Sequence, residues 1–176
     1  MTTDSSSHLF NLETVSWETG QALYQFAADL FPIHRAITGA GVRATLNAIA
    51  QRIPLVMGAI PTGQTVLDWQ VPNEWEIRDA FVEHPAGHKV IDLSESNLHV
   101  VSYSVGVNQL MTWQELAPHL HTLPEHPDWI PYRTAHFQSR WGFCLSHRNW
   151  QNLNDNPPTQ PFRVRIDAEQ KPGVLN

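Results

Sequence analysis

Ten histidines and a single cysteine carry most of the chemistry open to this sequence. His119-Leu120-His121, with His126 and His136 nearby and Glu125 and Asp128 as oxygen donors, has the ligand types zinc prefers. On a strand, residues i and i+2 share a face and could chelate one ion. In the short helix that the surrounding residues imply, they diverge by about 200° and cannot. The spacing matches no zinc signature, so surface or capping histidines are expected and no metal site. Cys144 with His147 pairs a thiol with a base, but Trp141–Leu145 is an apolar run, which raises a thiol's pKa, and a packed core cysteine is expected. Gly39-Ala40-Gly41-Val42-Arg43-Ala44 spells GxGxxA. That fingerprint needs a buried strand immediately before it, whereas a helix and Pro32 stand there. A tight turn opening a helix is the expectation, with Arg35 and Arg43 flanking the helix start as candidate ligands for a small anion.

The seven tryptophans point elsewhere. Trp69, Trp75, Trp129 and Trp141 lie near Asp68, Glu74, Arg78, Asp128 and Arg140. Aromatic faces beside carboxylates and guanidinium groups suit sugar or peptide ligands, which need a stacking surface and a few directed hydrogen bonds. Most of these rings should fill a small β core. Tyr132 and Arg133, fixed after Pro131, with Trp75 and Trp141, are the candidate substrate-binding residues. No catalytic residue is assigned. No GxSxG elbow, HExxH, P-loop or EF-hand string occurs.

The elements that must position these groups read as α+β. Residues 1 to about 16 read as a tail. Leu23, Phe26, Ala27, Leu30 and Phe31 follow the spacing of one helical stripe, stopped at Pro32, and Val42, Leu46, Ile49 and Ile53 follow that of a second. Short strands are expected over 55–60, 64–69, 75–83 and 88–93, with turns at Pro61-Thr62-Gly63 and His84-Pro85-Ala86-Gly87. Leu98 to Val107 alternates like a strand whose more apolar face carries the odd-numbered residues. Thr112-Trp113-Gln114-Glu115 is a capping box with Met111 and Leu116 as its staple, and Pro118 keeps that helix short. Ser146 should cap another brief helix. Phe162, Val164 and Ile166 alternate with Arg163, Arg165 and Asp167, the pattern of a half-buried strand.

Composition limits the function. The chain has 176 residues, 41% of them hydrophobic, with 11 basic and 17 acidic side chains for a formal charge of −6. A nucleic-acid binder needs a basic footprint, which is lacking, so no nucleic-acid partner is expected. No run is long and apolar enough to span a membrane, and Met1 to His8 shows no secretory signal. One cysteine allows no internal disulfide and suits a reducing cytoplasm.

Several longer strings are recognisable together. They are Leu30-Phe31-Pro32-Ile33-His34-Arg35-Ala36-Ile37-Thr38-Gly39, Asp68-Trp69-Gln70-Val71-Pro72-Asn73-Glu74-Trp75 and Asn97-Leu98-His99-Val100. To these add Leu123-Pro124-Glu125-His126-Pro127, Ile130-Pro131-Tyr132-Arg133-Thr134 and Trp141-Gly142-Phe143-Cys144-Leu145-Ser146. Over residues 24 to 170 the chain resembles the bacterial aminopeptidase-like family of unknown function, whose members are similar to zinc-dependent exopeptidases and often accompany surface-polysaccharide genes.

The resemblance implies an α/β exopeptidase core carrying an inserted β-rich domain. Residues 17–63 and 156–176 would then be an incomplete core, and 64–155 the insertion. Zinc belongs to the full-length family by resemblance, and its metal-binding strings match no position here, so this chain is expected to bind no cofactor. The expected function is that of the N-terminal part of a zinc-dependent aminopeptidase-like hydrolase, inactive alone. The competing reading is a stand-alone peptide- or carbohydrate-binding β module. The helices and the strand 162–166, left without their sheet, should expose apolar surface and a strand edge, and so pair with another copy or with a separately encoded catalytic portion.

Overall fold

The structure is a computed structural model that describes residues 16–135 and 138–176. The expected tail, except Ser16, and His136 lie outside the described residues. The chain divides into two units, after Pro32.

In the first unit, Trp17–Leu30 forms α1. Ser16 caps it by accepting a 3.2 Å hydrogen bond from the Thr19 amide, and Glu18 sits in the first turn where the helix dipole favours an acid. No α1 residue is buried, and Leu23 and Phe31 of the expected stripe are each 62% exposed.

The second unit, Ile33–Asn176, opens with α2 (Ala40–Ala50). Gly39 has φ +97°, and a Cβ there would sit 2.8 Å from the Trp75 carbonyl oxygen; one on Gly41 would collide with the His34 carbonyl. The glycine pair is therefore demanded by close backbone approach, as a helix-opening turn requires. Short strands β1 (Ile60–Pro61), β2 (Thr65–Val66) and β3 (Trp69–Gln70) follow, much shorter than the expected runs. β4 (Glu74–Glu83) and β5 (Lys89–Asp92) form the expected hairpin around His84–Gly87. Next come β6 (Val107–Met111), α3 (Trp113–Leu116), β7 (Leu120–His121), β8 (Phe143–Cys144), α4 (His147–Asp155), β9 (Phe162–Lys171) and β10 (Val174–Leu175). The Glu115 carboxylate accepts 2.8 Å hydrogen bonds from both the amide and the hydroxyl of Thr112, and Ser146 accepts from the Asn149 amide, so both expected caps are present.

The main sheet runs β5-β4-β9-β6, all antiparallel. β9 is an inner strand paired on both sides, which corrects the expectation of an open strand edge at 162–166. α1 falls in the first unit and α2 in the second. Phe162, Val164 and Ile166 of β9 are buried, as their alternation requires, and pack with Ala80, Val82, Ile91, Met111, Leu116 and Phe143.

Glu74, 4% exposed, ties the rest of the unit to this sheet. Its carboxylate accepts from both Nη atoms of Arg43 on α2, at 2.5 and 3.0 Å, and from the Val174 amide of β10 at 2.9 Å. The Arg43 hydrogen bonds, then the Val174 amide, hold the carboxyl below the usual carboxylate range despite burial. A depressed carboxyl contributes stability above its unfolded value near 4.5, and that contribution is lost as pH falls through the folded value.

Two outcomes are expected. Phe162→Ala should cost about 3–5 kcal/mol in denaturant unfolding, from transfer and cavity terms together. Glu74→Gln should cost about 1–3 kcal/mol at neutral pH, and its stability should decline less steeply than the parent's below pH 4.5.

Candidate functional site

The site is built on His99–Ser104, six consecutive buried residues. A segment buried on both faces cannot show the one-sided alternation expected of 98–107, and only Val107 onward forms a regular strand. Its polar groups are satisfied internally. His99 Nδ1 donates to the Cys144 carbonyl at 2.7 Å, Ser104 Oγ donates to the Val101 carbonyl at 2.6 Å, and the Trp75 indole donates to the Ser104 carbonyl at 2.8 Å. Tyr103 holds φ +66°, a left-handed conformation unfavourable for an aromatic residue, while its ring stacks on Trp75 with centroids 5.5 Å apart.

Two loops hydrogen-bond to this segment. Ser102 donates to the Arg133 carbonyl at 3.0 Å and accepts from the Ala135 amide at 2.8 Å; Val101 donates to Gly142 at 3.0 Å and Val105 to Arg140 at 2.9 Å. Ser102 and its odd-numbered neighbours point their backbone groups in opposite directions, so the loops flank the segment on two sides. Parallel pairing of β7 with β8 brings His119 and His121 alongside. A Cβ on Gly142 would lie 2.9 Å from the His119 carbonyl oxygen and 3.0 Å from His121 Nε2, so only glycine allows this approach.

These walls enclose a cleft of about 440 Å³ lined by Pro118, His119, His121, Arg133, Arg140 and Trp141, among others. That volume is in the range of small-molecule sites. His119 stacks on Trp141 at 3.7 Å between centroids, and its Nδ1 donates to the Trp141 carbonyl at 3.3 Å. Burial pushes the His121 pKa below 6.5, and the Arg133 charge pushes it further, so the ring is neutral at pH 7. A larger hollow, about 810 Å³, is lined among the described residues by α1.

Of the expected substrate-binding residues, Arg133 and Trp141 meet in this cleft. Tyr132 is exposed one residue away and is not among the lining. Trp75 is 2% exposed, so its faces are spent on Tyr103 and on the edge of His34, which corrects its place as a ligand platform. Arg43 is likewise corrected as an anion ligand, because Glu74 and Glu76 already neutralise it. Arg35 is exposed and engaged within the chain. Sequence reasoning named Arg140 only as a guanidinium near Trp141, without choosing it as a candidate, and weighed His119-Leu120-His121 as metal ligands against surface or capping histidines, not as the wall of a cleft. The signal lies in a long-range strand pairing with no local signature.

Residues 74–169, more than half of the chain, match the family described as "Domain of unknown function (DUF2172)". The chain belongs to the DUF2172 family. It is also similar to a Clostridium acetobutylicum protein named "Putative polysaccharide biosynthesis protein with aminopeptidase-like domain", 46% identical over 160 residues. That match covers 91% of this chain and 36% of the relative. A solved structure from the same organism, described as a "putative peptidase", superposes with a TM-score of 0.84 at 45% identity, over 90% of this chain and 36% of that one. The chain thus spans about a third of the length of the relatives it matches.

The DUF2172 domain's own residues do not fit the zinc that the resemblance implies for the full-length family. Among the described residues no three His, Cys, Asp or Glu side chains converge to hold an ion. The two cleft imidazoles share their walls with two guanidinium groups and with no carboxylate, which repels a dication. Cys144 is buried and its thiol is pushed up to about 12 by burial, so the free thiol stays protonated near neutral pH and is a poor nucleophile. Among the described residues no helix is long and apolar enough to cross a membrane.

In an NMR titration the DUF2172 domain's His121 should protonate below pH 6.5, and Arg133→Gln should move that midpoint upward, because the substitution removes a nearby positive charge. An unchanged midpoint would show that the Arg133 charge does not reach the ring.

Proposed function

We propose that the chain is the N-terminal, non-catalytic part of a zinc-dependent aminopeptidase-like hydrolase, inactive by itself. The observation that carries this reading is the coverage: nearly the whole chain matches relatives named peptidase or aminopeptidase-like, but only 36% of their length is spanned.

The chemistry of the cleft supports it. Hydrolysis of an aminoacyl bond in such enzymes needs a metal to polarise the carbonyl and lower the pKa of water, and a carboxylate base within hydrogen-bond reach. Among the described residues, the cleft lining has guanidinium and imidazole groups and no carboxylate. The zinc and the base would therefore come from the part of the hydrolase outside this chain. Apolar surface left open fits the same reading. Trp17 is 80% exposed and Tyr24 77%, Val56 is 99% exposed, and neither α1 nor α2 buries a residue. Such surface favours association with another copy or with a separately encoded catalytic portion. A buried reduced thiol suits a cytoplasmic setting.

The second reading, a binding module for a peptide or sugar, is favoured by the formed cleft beside Trp141. A steady-state assay with aminoacyl-nitroanilides and added zinc or cobalt separates catalysis from binding. No metal-dependent turnover is expected from the purified chain; turnover would overturn the proposal. Size-exclusion chromatography should show self-association, and a monodisperse monomer that binds no apolar dye would count against the open faces.

A further inference from the structure

We infer that the cleft lined by Pro118, His119 and His121 on one side and by Arg133, Arg140 and Trp141 on the other is a binding site for a small carboxylate, gripped by Arg133 and Arg140 with the body of the ligand lying against the Trp141 ring. This goes beyond the reading above, because it concerns a ligand that the chain holds without metal and without the rest of a hydrolase.

The first support is the distribution of charge. Arg43, Arg78, Lys89, Arg148, Arg165 and Lys171 are all paired with carboxylates. Arg133 and Arg140 form no ion pair among the described residues, and both line the same cleft. In a chain of formal charge −6, two guanidinium groups without an ion-pair partner around one hollow, with no acidic residue among its described lining residues, make a local field that selects an anion.

The second support is how the arginines are held. Their carbonyls accept from Ser102 and Val105, which belong to or follow directly on a wholly buried segment, so the backbone under each guanidinium is fixed. Arginine's planar fork matches the two oxygens of a carboxylate, and a preset backbone reduces the entropy lost on binding.

The third is the apolar side of the cleft. Trp141, with His119 stacked on it, and Pro118 line the cleft and supply the apolar contact that a sugar ring or an aliphatic side chain needs. A peptide's terminal carboxylate and an acidic sugar share this chemistry: a carboxylate attached to a body that can lie on a ring.

The test is an NMR titration of the metal-free 176-residue chain, following the Trp141 indole and the His121 ring. D-glucuronate is compared with D-glucose, and Ala-Ala with its C-terminal amide. Saturable shifts are expected with at least one carboxylate and not with its neutral counterpart. Arg133→Gln and Arg140→Gln should each weaken binding at least about tenfold, the scale of a charge-assisted hydrogen bond. Glucuronate alone would assign an acidic sugar, Ala-Ala alone a peptide terminus, and both a carboxylate of either kind.

The inference is overturned if neither carboxylate saturates, if the neutral counterparts bind equally, or if both variants bind like the parent. Both arginines are exposed, so the variants should melt with the parent. The parent protein gives an independent reading, since a bound carboxylate must raise the His121 midpoint and an unmoved midpoint at saturation sinks the site. Because no metal or turnover is involved, failure here leaves the hydrolase reading standing, and turnover in the nitroanilide assay leaves this site standing.

Discussion

Burying six consecutive residues, His99 to Ser104, is the constraint on which the cleft depends. A buried backbone must find partners for every amide and carbonyl, and an unmet group costs about 1–3 kcal/mol. Here the partners come from loops that are themselves irregular: 133–135 on one side and 140–142 on the other. Satisfying the segment therefore fixes two stretches of chain that have little regular structure of their own. Tyr103 accepts a left-handed backbone within this arrangement, and its ring is retained against Trp75. Local strain of this kind persists only where surrounding contacts over-determine it.

A second constraint works at the level of the sheet. Inserting β9 between β4 and β6 joins residues 74–83 to residues 162–171, so the cleft-forming loops lie, along the sequence, between two strands that pair with each other. Glu74 extends that frame outward by neutralising Arg43 and capping Val174. The same ion pair removes Arg43 from any role with an external anion. The positive charge available to a ligand is displaced from the start of α2 to the cleft.

Local features were legible in the sequence because local physics decides them. The Thr112–Glu115 capping box, the Ser146 cap, the turn at His84–Gly87 and the alternation of Phe162, Val164 and Ile166 all depend on residues within a few positions of one another. What escaped was long-range. Nothing near Phe162 announces that β9 will be an inner strand, and nothing near Leu120 announces a parallel pairing with Phe143. The apparent strand at 98–107 misled because alternation reports burial on one face, and residues 99–104 are buried on both. At the site, Arg133 and Trp141 could be singled out by type and setting. Trp75 could not be told apart from them, since a tryptophan beside acidic residues reads the same whether its ring faces solvent or the core.

The cleft is thus a cationic hollow built by backbone satisfaction, and its charge opposes the metal chemistry suggested by its histidines. Calorimetric titration of the 176-residue chain with zinc tests this opposition directly. Two imidazoles held beside Arg133 and Arg140 predict only weak heat without defined stoichiometry. A tight one-to-one site, abolished by replacing His119 and His121, would contradict it.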